Sequence, residues 1–137
     1  MLTPDQLLHE GENLLGSYNI EIARWVNERW IGTVPLLYVV LTDHRLILQP
    51  QARKHYEPAV IPGRYIKQVT DVNDDRRRGL LITLKTGHRI GMVAAGVQAD
   101  TFARNLRTLM VPPSPVRFES ELNLTSIQKL ITFVENL

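Results

Sequence analysis

Catalysis would need a nucleophile with its base, a pair of working carboxylates or a metal cradle, and the sequence spaces no residues for such work. The histidines His9, His44, His55 and His88 are far apart in the chain, with no pair three or four residues apart on a shared helical face. Ser17, Ser114, Ser120 and Ser126 lie in no Gly-x-Ser-x-Gly turn. There is no cysteine, which excludes disulfides, thiolate metal sites and thiolate nucleophiles. Gly87, Gly91 and Gly96 fit neither a phosphate-binding nor a dinucleotide-binding pattern and read as turn and strand-contact glycines. Asp71, Asp74 and Asp75 lack the spacing and the closing glutamate of a calcium loop. The expectation is a protein that is not an enzyme and uses no cofactor and no metal.

Binding chemistry has more to draw on. Arg76, Arg77 and Arg78 form an anion-site candidate, although Asp74 and Asp75 beside them favour a solvated, partly neutralised loop. Trp25 and Trp30 read either as interfacial anchors or as core residues. Asn123-Leu124-Thr125 matches a glycosylation acceptor but is read as the capped start of a helix. The net charge of +2 demands no polyanionic partner, yet its distribution is uneven: residues 1–60 carry −2, residues 61–110 carry +5 and residues 111–137 carry −1.

These side chains must be positioned by elements that the periodicity marks out. Thr3-Pro4-Asp5-Gln6 has the capping residues of a short helix ending at Gly11. From Ser17 the period becomes two, with Tyr18, Ile20, Ile22, Arg24 and Val26 on one face and Glu21, Ala23 and Trp25 on the other. After a turn at Asn27-Glu28-Arg29, strands are expected at Ile31–Leu41 and Arg45–Gln49, joined by Thr42-Asp43-His44. Pro50–His55 reads as a loop and Tyr56–Ile61 as an edge strand, since Pro58 cannot donate to a ladder. Three further strands follow at Tyr65–Val72, Leu80–Lys85 and His88–Val93, the last two turning at Thr86-Gly87. Val97, Phe102, Leu106, Leu109 and Met110 recur at helical spacing, and Pro112-Pro113-Ser114-Pro115 ends that helix. A last helix, Thr125–Leu137 with Thr125 as cap, carries the stripe Ile127, Leu130, Ile131, Val134 and Leu137. Strands followed by helices make an α+β order, met by a small barrel or split sandwich capped by a helix.

The pieces Leu8-His9-Glu10-Gly11-Glu12, Tyr38-Val39-Val40-Leu41-Thr42-Asp43-His44-Arg45-Leu46-Ile47-Leu48 and Ile66-Lys67-Gln68-Val69 give this chain a family likeness. With the Leu80–Leu84 strand and the helix holding Phe102, they resemble the pleckstrin-homology-like (PH-like) superfamily, and within it the GRAM and bacterial PH-like domains. The strand–Thr-Asp-x-Arg–strand piece is the most specific part, and the likeness runs from Leu8 to Met110. It implies a PH-like split β-barrel of about seven antiparallel strands capped by a C-terminal helix, spanning residues 1–111. Residues 112–137 then form a proline linker and an appended amphipathic helix. The likeness also implies that the loops after strands one, three and six gather at one open end. Arg29 and Trp30, then Arg53, Lys54 and His55, then Lys85 and His88 would meet there as a ligand-binding set for a phosphorylated head group. The first loop lacks the Lys-x-(Lys/Arg)-x-Arg pattern of strong phosphoinositide binders, and Glu28 adds an adverse charge.

Together these readings predict a non-catalytic PH-like binding module that mediates contact with a protein partner or an acidic membrane surface. The alternative is a small β-barrel that binds phosphate-rich ligands or nucleic acid through the basic middle third. Nucleic acid is disfavoured by the modest charge and the lack of an aromatic RNA-binding strand. Met1–Glu10 has no basic segment or apolar signal core, and Val34–Leu41 is too short to span a bilayer. The expected setting is cytoplasmic, with peripheral membrane contact as one mode of use. The apolar stripe of the last helix should pack on its own domain or, by exchange, on a second copy in a homodimer.

Overall fold

The computed structural model describes residue 8 and residues 11–50, 58–94, 97–109 and 122–135. Seven strands come first: β1 (Leu14–Val26), β2 (Arg29–Thr42), β3 (Arg45–Pro50), β4 (Ala59–Pro62), β5 (Ile66–Asn73), β6 (Arg78–Leu84) and β7 (Arg89–Val93). A single 3-10 turn, Gly63–Tyr65, joins β4 to β5. Helices α1 (Val97–Thr108) and α2 (Leu124–Glu135) follow. All ladders are antiparallel, in the order β4-β3-β2-β1-β7-β6-β5. The fold is therefore α+β around one open sheet, with β4 and β5 as its edges and no ladder joining them among the described residues. The expected closure into a barrel is not made by strand pairing.

Period-two patterning decides which face is buried. Tyr18, Ile20 and Ile22 of β1 and Leu80, Ile82 and Leu84 of β6 share one core, while Asn19 is exposed and Leu81 and Thr83 are half-buried. The two central residues of the β1–β2 turn, Asn27 and Glu28, have φ of 51° and 61°. Both values are positive, as in the tight hairpin turns whose twist matches the flanking strands. Arg29, expected in the turn, instead pairs with Val26 as the first residue of β2. Pro50, expected in a loop, closes β3 opposite Leu37. Tyr56–Ile61 is realised as the short edge strand Ala59–Pro62. The helix near Thr3, the loop residues 51–57 and the proline linker lie outside the described residues.

Helix α1 covers one part of the concave face. Phe102, Leu106 and Leu109 are buried in the same core as Ile82 and Leu84. Phe102 stacks at 5.1 Å on Tyr18, whose hydroxyl accepts a hydrogen bond of 3.1 Å from Asn105 Nδ2. At the far end of α1 a Cβ on Gly63 would strike the Leu109 carbonyl oxygen, so only glycine admits so close an approach.

Helix α2 joins the same core. Ile127 and Leu130 are buried within it and Ile131 packs against it. The apolar stripe, as far as it is described, thus lies on the chain's own sheet. The cap is Asn123 and not Thr125: Asn123 Oδ1 accepts from the Ser126 N–H at 3.1 Å, and the helix begins at Leu124. Asn123 also donates from its backbone N–H to the Val60 carbonyl and from Nδ2 to the Pro58 carbonyl. The first turn of α2 is thereby fastened to edge strand β4. Further along, Gln128 Oε1 lies 3.2 Å from His88 Nε2 in the β6–β7 turn, and Ile131 reaches the β1–β7 side. Helix α2 therefore runs from one sheet edge across to the middle of the sheet.

Candidate functional site

The most specific sequence piece proves to be a structural knot. Thr42 Oγ1 donates to Glu12 Oε2 at 2.6 Å and accepts from the N–H groups of His44 and Arg45. Arg45 grips the same carboxylate with two charge-assisted bonds, Nε to Oε2 at 2.8 Å and Nη2 to Oε1 at 2.6 Å. The Glu12 side chain is 0% exposed and that of Arg45 is 6% exposed. Asp43 accepts from the backbone N–H and Nδ2 of Asn13 and lies 2.7 Å from His44 Nδ1. Partial burial pushes the Asp43 carboxyl up, but these hydrogen bonds outweigh it and hold the carboxyl below its ordinary value. These bonds tie the β2–β3 turn to the segment leading into β1. The motif builds the fold.

Trp30 is equally committed. Its indole lies across the outer face of the sheet in a slot made by two glycines, Gly79 and Gly91, where any Cβ would meet the ring. Nε1 donates to the Val72 carbonyl at 2.6 Å, and the backbone N–H donates to Asp74 Oδ2 at 2.9 Å. Ala23 and Val93 are buried with it, and Trp25 meets its ring edge-on at 5.2 Å. The β1–β2 register shifts between Glu21 and Ala23, where β2 carries the extra residues.

Asp74 organises the β5–β6 turn by accepting from the N–H groups of Trp30, Arg76 and Arg77. The Trp30 bond first, then that from Arg76, holds its carboxyl below the ordinary range. Such a carboxylate stabilises the fold above its unfolded value and loses that contribution as pH falls through its folded value. The expected melting temperature is flat above about pH 5 and falls below it, with a shallower fall in Asp74→Asn. A slope in Asp74→Asn as steep as in the wild type would show that the carboxylate does not hold the turn.

Of the residues expected to converge at an open end, Arg29 and Trp30 lie apart from Lys85 and His88. Trp30 is bonded to the β5–β6 turn, whereas Lys85 and His88 flank the β6–β7 turn at the opposite end of β6. Seven residues of strand separate the two turns, roughly 20 Å. Arg29 is exposed beside Trp30, Lys85 is exposed, and His88 is tied to Thr86 and Gln128. Arg53, Lys54 and His55 lie outside the described residues. The arginine run is largely paired: Arg77 meets Glu21 at 3.3 Å and Arg78 bonds Asp100. Arg107 likewise meets Asp71 at 3.0 Å.

A different set of residues does come together. A groove of about 220 Å³ opens where β1 and β7 part, beside the second half of α2. Trp25, Leu81, Ile90 and Ile131 give it apolar walls, and Arg24 and Arg89 line it, with no carboxylate among its described lining residues. Arg89 is exposed, while Trp25, Leu81 and Ile131 are half-buried. The strand periodicity put Trp25 on the face opposite Ile20, but nothing in the sequence linked it to Arg89 or to a helix 100 residues further on. Chemically, the groove suits an apolar group carried next to a negative charge.

Compared with protein-family models and with characterised proteins, the chain has no match. Among the described residues no helix is long and apolar enough to cross a membrane.

Proposed function

We propose that this chain is a non-catalytic PH-like, GRAM-like binding module that mediates contact with a protein partner. The strand order β4-β3-β2-β1-β7-β6-β5 with a helix packed after the last strand supports the PH-like reading. So does the role of Thr42, Asp43 and Arg45 as the knot of the β2–β3 turn. The observation that carries the function is the groove at the β1–β7 parting, which joins apolar walls to arginines with no carboxylate among its described lining residues. A protein segment with an apolar side chain beside an acidic one matches both features.

An acidic membrane surface is the second reading. It is favoured by Lys67, Arg76, Lys85, Arg89 and Lys129, which are exposed and belong to no ion pair among the described residues. The phosphate-rich alternative is less well supported, because Arg77, Arg78 and Arg107 of the basic middle third already have carboxylate partners.

The test sets the two readings side by side. Selection of a random displayed-peptide library on the full chain should enrich peptides that bind reversibly in solution. Phosphatidylserine vesicles at low ionic strength should not carry the protein down on sedimentation. Vesicle binding that fades with added salt, together with no enriched peptide, would replace the partner reading by the membrane one.

A further inference from the structure

The groove coincides with a split in the sheet. β1 and β7 pair only at Glu21–Val93, Ile22–Met92 and Ala23–Gly91. Past that point Arg24, Trp25 and Val26 continue as partners of β2 alone, while Arg89 continues as a partner of Thr83 and Ile90 of Ile82 on β6. Each strand therefore turns one edge to the gap without a ladder. Because adjacent residues of a strand direct their N–H and C=O groups to opposite sides, one of Arg89 and Ile90 aims both groups at the split. The side chains divide in the same way. Ile90 faces the core, next to Ile131 of α2, and Arg89 stands on the outer, exposed face.

We propose that a short extended segment of the protein partner, alternating apolar and acidic residues, adds as a strand beside Arg89–Ile90 in this split. Its backbone takes up the unladdered groups of β7, as in other cases of recognition by strand addition. Its apolar side chain points inward onto Ile90 and Ile131, and its acidic neighbour points outward to the Arg89 guanidinium. The period of two in the ligand is imposed by the period of two in β7. Arg24 also lines the groove and has contacts of its own. This assignment rests on the partner reading above and narrows it to one chemistry and one mode of binding.

The probe is a capped hexapeptide of alternating valine and glutamate, titrated into the full chain and followed by calorimetry. Saturable binding is expected. Methylating one alternate set of its amide nitrogens should weaken binding roughly tenfold or more, and methylating the other set should not, since only one set faces β7. Arg89→Glu, at an exposed position, should keep the wild-type melting temperature, weaken the valine–glutamate peptide roughly tenfold, and bind the valine–lysine counterpart better than the wild type does. Absence of binding, equal effects of the two methylation patterns, or an unchanged affinity in Arg89→Glu would each overturn the proposal. Library-selected peptides that bind wild type and Arg89→Glu alike would leave the partner reading standing and remove only this one.

Discussion

Replacing Glu12 by alanine is expected to destabilise the protein by about 3–5 kcal/mol, because the Arg45 guanidinium would stay buried without its carboxylate. The cost comes less from losing attraction than from leaving a charge stripped of both water and partner. Thr42 would lose an acceptor as well, and with it the orientation that serves the His44 and Arg45 N–H groups. Thermal or urea unfolding of Glu12→Ala measures the loss. The double variant Glu12→Met/Arg45→Leu separates the two contributions. If desolvation dominates, it should recover most of the stability, since a well-packed apolar pair often matches a buried ion pair. A Glu12→Ala variant within about 1 kcal/mol of wild type would show that the pair is not buried as described.

The second large effect concerns the Trp30 slot. Trp30→Ala should cost about 3–5 kcal/mol, the usual range for removing a large buried aromatic ring. Trp30→Phe keeps most of the apolar area and forgoes the Nε1 bond to Val72, so about 1 kcal/mol is expected. The two glycines give a sharper check. A Cβ at Gly79 meets the Trp30 ring as its nearest obstacle, whereas one at Gly91 also meets the backbone oxygen of Ala23. Gly79→Ala should therefore be harmful alone and nearly neutral on a Trp30→Ala background. Gly91→Ala should stay harmful on both. Equal rescue of the two glycine variants would mean that the ring alone fills the slot.

Much of the architecture could be read from local signals because they are local in cause. Alternation through Tyr18, Ile20 and Ile22, the proline at the edge strand and the turn at Thr86-Gly87 each act within a few residues. The β1–β2 turn was placed correctly to within one residue, although Glu28 is an uncommon choice for positive φ. The cap of α2 was missed by two residues, since Asn123 and Thr125 are both good caps and only the contacts to Pro58 and Val60 decide between them. The pairing of Glu12 with Arg45 joins residues 33 apart, and no periodicity encodes it. The expected ligand set is described only in part, since Arg53, Lys54 and His55 lie outside the described residues. It rested on the PH-like gathering of the loops after strands one, three and six, whereas Trp30 is bonded to the β5–β6 turn and Lys85 and His88 flank the other end of β6. The groove in turn depends on where a ladder stops, between Ala23 and Arg24, and on a helix that follows the sheet. Residue types alone do not mark either.

Mapping the backbone amide NMR shifts of the full chain as the alternating valine–glutamate hexapeptide is added tests the central claim most directly. Binding at the β1–β7 split should move the amides of Arg24, Trp25, Arg89, Ile90 and Ile131, and leave those of Arg29, Arg76 and Lys85 in place. Shifts gathered instead at Arg29, Arg76 or Lys85, or no shifts at any concentration, would contradict it.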